Sequence, residues 1–130
     1  MTRVAFAIFA FITIVIGLVV HTWGAPLGVT ARDALGDALW AAMIAWLVGA
    51  MAPRARLASR CAVAYAICAA VETSQLYHSP TLDAMRETQL GQLVLGSGFD
   101  VRDLAAYAAG VAAAALIEIA VSLRGREPAR

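Results

Sequence analysis

VAFAIFAFITIVIGLVV, the stretch from Val4 to Val20, holds 17 residues without a charge. As an α-helix it would be about 26 Å long, near the lower limit for crossing the hydrocarbon core of a bilayer. A cleaved signal peptide is the alternative, because Arg3 precedes the run. A signal core is usually shorter and ends in small residues, whereas this run ends in His21, Thr22 and Trp23. The stretch therefore predicts a first membrane-spanning helix.

The composition of the whole chain indicates the same class. The 130 residues are 62% apolar and 15% charged, with a mean hydropathy of +0.75. A soluble domain is about 45–50% apolar and about 25% charged, and a small one has too much surface to hide more apolar side chain. A soluble enzyme and a disordered tail are thus excluded. The net charge of +1 gives no general attraction to nucleic acid.

Three further segments predict membrane spans. They run from about residue 34 to 52, from 57 to 77 and from 102 to 123, and Pro53 ends the first of them. The last is dense in alanine and glycine, which suits close helix packing in lipid. The sequence therefore predicts a single all-α membrane domain over residues 1–130, with four transmembrane helices at about 4–20, 34–52, 57–77 and 102–123.

The arginines predict the orientation. All ten basic residues are arginine, and seven fall on one side of a four-span arrangement: Arg3, Arg54, Arg56, Arg60, Arg124, Arg126 and Arg130. Basic residues near span ends favour the cytoplasmic side. We therefore expect a multi-pass protein of the inner (plasma) membrane with both termini in the cytoplasm and with the loops His21–Asp33 and His78–Val101 outside.

Polar residues gather at one depth of the predicted bundle. Ionisable groups inside membrane spans are costly and usually face a protein interior or a cavity. On the third helix, steps of four and three residues join Cys61, Tyr65, Cys68, Glu72 and Gln75, and on the fourth they join Asp103, Tyr107 and Gly110. If these stripes face each other, Glu72, Gln75, Asp103 and Tyr107 converge. Asp37 lies at the same depth on the second helix.

Two charged partners are expected for these spans. Two carboxylates in a pocket of low dielectric need a positive companion, and Arg86 in the outer loop is the predicted counter-ion of Glu72. Glu118, in the opposite half of the fourth helix, is predicted to pair with Arg60 or Arg56. No metal site is expected, because His21 and His78 both lie far from the cysteines in sequence, and no cofactor motif is present.

The outer loop contains an apolar run that is too short to span. QLGQLVLG, residues 89–96, carries glycines that permit tight turns. It predicts a re-entrant or interfacial segment before the fourth helix, with a simple surface loop as the alternative.

Taken together, these residues resemble a known group of membrane proteins. Glu72-x-x-Gln75, Arg86, and Asp103 with Gly110 resemble VanZ-like proteins, which are small bacterial membrane proteins, one of them associated with glycopeptide resistance. Longer strings between Gly36 and Gly110, including ETSQLY at residues 72–77, look like an uncharacterised bacterial family known only as a domain of unknown function. The resemblance implies a polar site in the outer leaflet half and a cell-envelope role, without a reaction.

Three functions are open at this point. The first is a non-enzymatic protein whose outward polar pocket binds an envelope component, such as a lipid-linked intermediate, or a partner protein. The second is an enzyme on such a molecule with Glu72 or Asp103 as general base. The third is a subunit of an oligomeric transporter or channel. The candidate ligand-binding residues are Asp37, Glu72, Gln75, Arg86, Asp103 and Tyr107; the alternative for this set is a structural polar core.

Overall fold

The computed structural model describes residues 1–91 and 99–124, and all regular structure in these two ranges is helical. Five α-helices have both of their ends within the described ranges, with a short 3-10 turn at Ala25–Leu27: α1 Arg3–Trp23, α2 Val29–Met51, α3 Leu57–Ser74, α4 Pro80–Arg86 and α5 Val101–Arg124. Most of the expected re-entrant or interfacial segment, residues 89–96, lies outside the described residues.

Three of the helices are long and apolar enough to cross a membrane, namely α1, α2 and α5. The third predicted span is not among them. Helix α3 has 18 residues and includes Arg60 and Glu72, and it ends at Ser74, three residues before the predicted end at 77. The charged side chains of Arg60 and Glu72 lower the mean hydropathy of α3, although both are buried within the bundle.

The first connection is shorter than predicted. The sequence places an outer loop at His21–Asp33, but α1 continues to Trp23 and α2 already begins at Val29. Gly28 precedes α2 with a φ of 79°, a left-handed conformation that favours glycine. Asp37 therefore lies about two turns inside α2 and does not begin it.

Helix α2 lies at the centre of the bundle. It packs against α1, α3 and α5, and α3 also packs against α5. Gly110 allows α5 to approach α2 closely, because a Cβ there would come within 2.0 Å of the Ala38 carbonyl oxygen. Small residues allow such contacts between membrane helices. Helices α2 and α5 therefore run side by side in the same direction.

One end of the bundle, where α1 begins and α2 and α5 finish, is here called the arginine-rich end. Phe6, Ala10, Trp46 and Ala114 form a buried cluster there. Arg60 joins it, with its guanidinium 5.0 Å from the centre of the Phe6 ring. Its Nη2 lies 2.6 Å from Oε1 of Glu118. The predicted ion pair of Glu118 with Arg60 is thus confirmed.

Candidate functional site

The opposite end of the bundle, here called the cavity end, contains a partly open cavity of about 670 Å³. Helices α1 and α5 both pack on α2, and the cavity occupies the gap between them. Its apolar wall comes mainly from α1 and α2 and includes Ile14, Leu18, Val20, Leu39, Trp40 and Met43. Its polar lining comes from α2 and from the start of α5: Arg32, Asp33, Asp37, Asp100, Arg102, Asp103 and Tyr107.

Three of the predicted site residues line this cavity together. Asp37 of α2 and Asp103 of α5 both contribute carboxyl groups to the lining. Both side chains are half-buried, and Tyr107 is buried one turn beyond Asp103. Among the described residues, no basic side chain forms an ion pair with Asp37 or Asp103. Asp37 of α2 and Asp103 of α5 thus lie at one depth of the bundle.

Glu72 lies behind the cavity wall and is fully buried. Three donors surround its carboxylate: the Tyr107 hydroxyl at 2.9 Å, the Gln75 amide at 3.1 Å and the backbone N–H of Asp100 at 2.7 Å. A buried carboxylate needs such partners, because each lone pair left without a donor costs desolvation energy. Glu72 therefore joins α3 to the start of α5.

Asp100 is a residue that the sequence reasoning missed. Its side chain accepts a hydrogen bond of 2.8 Å from the Arg102 backbone N–H, so that Asp100 caps α5. Its own N–H binds Glu72. The available signal was an aspartate immediately before the first apolar residue of a helix, a common N-cap position. Asp103 is instead free to face the cavity.

The predicted ion pair between Glu72 and Arg86 is wrong. Arg86 is buried, but its guanidinium donates to the backbone carbonyls of Ser74 and Tyr77, each at 3.0 Å. Its ionic partner is Asp83, at 3.2 Å. Carbonyls at the end of a helix lack intrahelical partners, and Arg86 supplies donors to that end of α3. Arg86 thus ties α4 to α3 and is not a cavity residue.

The predicted stripe on α3 holds only in part. Cys68, Glu72 and Gln75 are buried, whereas Cys61 is half-buried and Tyr65 is exposed. The buried face of α3 consists of Arg60, Ala64, Cys68 and Glu72. These residues repeat every four positions, and the pairing of Arg60 with Glu118 holds this face toward α5.

The rim of the cavity also carries charges that the sequence reasoning did not assign to a site. Arg32 and Asp33 lie 3.7 Å apart at the start of α2, and Arg102 and His21 add basic groups from α5 and α1. Arg32, Asp33 and His21 were missed because residues 21–33 read as a loop. In the described part of the chain, no group of His, Cys, Asp and Glu residues could hold a metal ion.

The arrangement can bind a molecule that has both apolar and polar parts. The apolar wall comes from two candidate spans. Next to it lie the polar side chains of Asp37, Asp103 and Tyr107, and the charged residues Arg32, Asp33 and Arg102 lie at the rim. Ligand cavities of a few hundred cubic ångströms, mostly apolar with few polar groups, are typical of small-molecule sites. Glu72 is less accessible, because three protein donors already occupy its oxygens.

The model of a family described as a protein of unknown function (DUF2809) matches residues 27–111 of this chain. The match extends over more than half of the 130 residues, and the chain therefore belongs to this family. It includes α2, α3, α4 and the first half of α5, and with them every predicted site residue. No solved structure matches the chain.

Proposed function

We propose that this member of the DUF2809 family is an inner-membrane protein that binds a cell-envelope amphiphile in the cavity between α1, α2 and α5. The observation that carries the proposal is the cavity itself, about 670 Å³ in volume, with an apolar wall and with Asp37, Asp103 and Tyr107 in its lining. Ionisable groups inside membrane spans usually serve a function.

The side of entry follows from the helices that form the gap. Both α1 and α5 are apolar enough to span a bilayer, and Gly17 and Gly36 leave open space where a side chain would stand. Both glycines line the cavity. A molecule already dissolved in the bilayer can therefore enter between α1 and α5 without leaving the membrane.

The proposed orientation places the cavity end outside. The arginine-rich end carries Arg3, Arg54, Arg56 and Arg124, and the positive-inside rule favours the cytoplasm for such a cluster. In this orientation α3 completes a fourth span, with its two buried charges satisfied by α5. A relationship to VanZ-like proteins and a bacterial envelope role belong to the same proposal.

Co-purification tests this function. The full-length protein is extracted from membranes in a mild detergent, and bound lipids are identified by native mass spectrometry. We expect a retained amphiphile in the wild type and its loss in Gly36→Leu, whose side chain fills the open space. Ala112→Leu, an added side chain of the same size on the exposed face of α5, should retain it. Equal retention by Gly36→Leu would contradict the proposal.

An enzymatic role is the second candidate, favoured by one observation. Asp103 is half-buried and lines the cavity, so that it could take a proton from a bound substrate, whereas Glu72 is enclosed by donors. Turnover of the co-purified amphiphile by the wild type and its absence in Asp103→Asn, with binding retained, would establish this role. Binding that is never followed by a product would exclude it for that ligand.

A further inference from the structure

We infer that the cavity takes an amphiphile whose polar head is cationic, with the head against Asp37 and Asp103 and the hydrocarbon chain against α1. The inference rests on the proposed function and names the chemistry of its ligand. Four features of the cavity carry the inference: its apolar wall, the empty space beside Gly17 and Gly36, the aromatic rings in its lining, and the carboxyl groups below its rim.

The chain position follows from the wall. Ile14, Gly17 and Leu18 line the cavity from α1. A Cβ added at Gly17 would meet no atom within 4 Å. This channel continues past Trp40 and Met43 toward the middle of the bundle. A hydrocarbon chain that fills it would bury apolar surface on both sides, which favours binding in proportion to the area removed from water and headgroups.

The head position follows from the charges. Asp37 and Asp103 line the cavity together, and the buried carboxylate of Glu72 lies directly behind Tyr107. No basic residue of the described chain forms an ion pair with any of these three acids. The bases that line the cavity, Arg32, Arg102 and His21, are at its rim.

The chemistry of the head then follows from the acids. Each carboxyl group that loses its proton repels an anionic head, whereas a cationic head stabilises the ionised form of the pair and makes charge-assisted hydrogen bonds with it. The Trp40 and Tyr107 rings also line this part, and aromatic rings favour a nearby cation. A protonated amine attached directly to a hydrocarbon chain meets all of these conditions.

The test compares three probes that share one dodecyl chain: dodecylammonium, dodecanol and dodecyl phosphate. Binding to the full-length protein in a non-ionic polyether detergent is measured by native mass spectrometry. We expect dodecylammonium to bind about tenfold more tightly than the other two. Asp37→Asn and Asp103→Asn should remove this preference, and Glu87→Gln, an exposed acid outside the cavity, should keep it.

Two different failures can be told apart. If dodecanol or dodecyl phosphate binds as tightly as dodecylammonium, or if the aspartate variants keep the preference while melting as the wild type does, the cationic head is wrong and cavity binding stands. If no probe binds and Gly36→Leu retains the same lipids as the wild type, the proposed function is itself overturned.

Discussion

At the scale of the residue, the feature that organises the cavity end is one buried carboxylate. Glu72 receives three donors, one from its own helix and two from α5. The Tyr107 hydroxyl is the only side-chain donor among them that also belongs to the cavity lining. Glu72 therefore sets the position of a cavity residue without facing the cavity itself.

Removal of the Tyr107 hydroxyl should weaken the bundle measurably. Tyr107→Phe leaves one oxygen of Glu72 with a single donor, and a lost hydrogen bond to a charged group lowers the free energy of unfolding by about 1.5–3 kcal/mol. The measurement is the melting temperature in detergent. Tyr65→Phe is the matched control, because Tyr65 is exposed on α3. Equal melting temperatures of the two variants would show that the hydrogen bond between Tyr107 and Glu72 is not formed.

The buried ion pair at the arginine-rich end gives a second prediction. Arg60→Met or Glu118→Gln alone leaves a buried charge without its partner and should lower the free energy of unfolding by about 3–5 kcal/mol. The double variant Arg60→Met/Glu118→Gln should lose less than the sum of the single losses, because no charge remains unpaired. A cycle of melting measurements checks this. Additive losses would contradict direct pairing.

The sequence could predict some of these residues and not others. Asp37, Asp103 and Tyr107 were recognisable, because polar groups on apolar helices are rare and helical spacing assigns them to one face. The partner of Arg86 was not predictable in this way. Its guanidinium binds backbone carbonyls at the end of α3. Every residue has a backbone carbonyl, so the sequence does not show which of them will accept a hydrogen bond from a distant side chain.

At the scale of the element, α3 depends on α5. Its two charged side chains are both buried, and each is satisfied by α5: Arg60 by Glu118, and Glu72 by Tyr107 and Asp100. A charged residue makes the insertion of a helix costly, by about 2.5–3.5 kcal/mol at the centre and by less toward the ends, where Arg60 and Glu72 lie. By hydropathy, α3 falls outside the set of candidate spans. The proposed insertion of α3 as a fourth span therefore requires α5.

The two cysteines of the chain report on this dependence, since both lie on α3. In the full-length protein Cys68 is buried and should resist a membrane-impermeant thiol reagent. Glu118→Leu should increase its labelling several-fold, because Arg60 would pull α3 toward water. Ala112→Leu, on the exposed face of α5, is the control and should leave labelling low. Unchanged protection of Cys68 in Glu118→Leu would show that α3 inserts independently.

The contact of α2 with α5 predicts the effect of adding a single methyl group at Gly110. Gly110→Ala places a Cβ against the Ala38 carbonyl and should lower the free energy of unfolding by about 1–3 kcal/mol, because two backbones must separate. Gly17→Ala is the matched control: its Cβ meets nothing within 4 Å, so that a helix-favouring residue should preserve or slightly raise stability. Thermal unfolding in detergent measures both. Equal stability of the two variants would contradict the close packing.

The helices were largely predictable, and their ends were less so. Apolar runs locate α1, α2 and α5 within a few residues, because lipid selects for length and apolar character. The start of α2 was missed by five residues, since Val29–Asp33 is mixed in polarity and only Gly28 marks the turn. The end of α3 depends on Arg86, which is distant in sequence.

At the scale of the whole molecule, the bundle has two polar ends of different chemistry. The arginine-rich end closes on Phe6, Trp46 and an internal ion pair. The cavity end opens between α1 and α5 and carries acids without basic partners in the described chain. Close packing at one end and an opening at the other suit a protein that receives a ligand from one face of the membrane.

Accessibility of Asp37 tests the central claim, an open cavity that faces outward. In a Cys61→Ala/Cys68→Ala background, Asp37→Cys should react in intact cells with a charged, membrane-impermeant thiol reagent added outside. Ala41→Cys, one turn deeper on α2 and fully buried, should remain unlabelled. Labelling of Asp37→Cys only after the cells are opened, or equal labelling at both positions, would contradict the account.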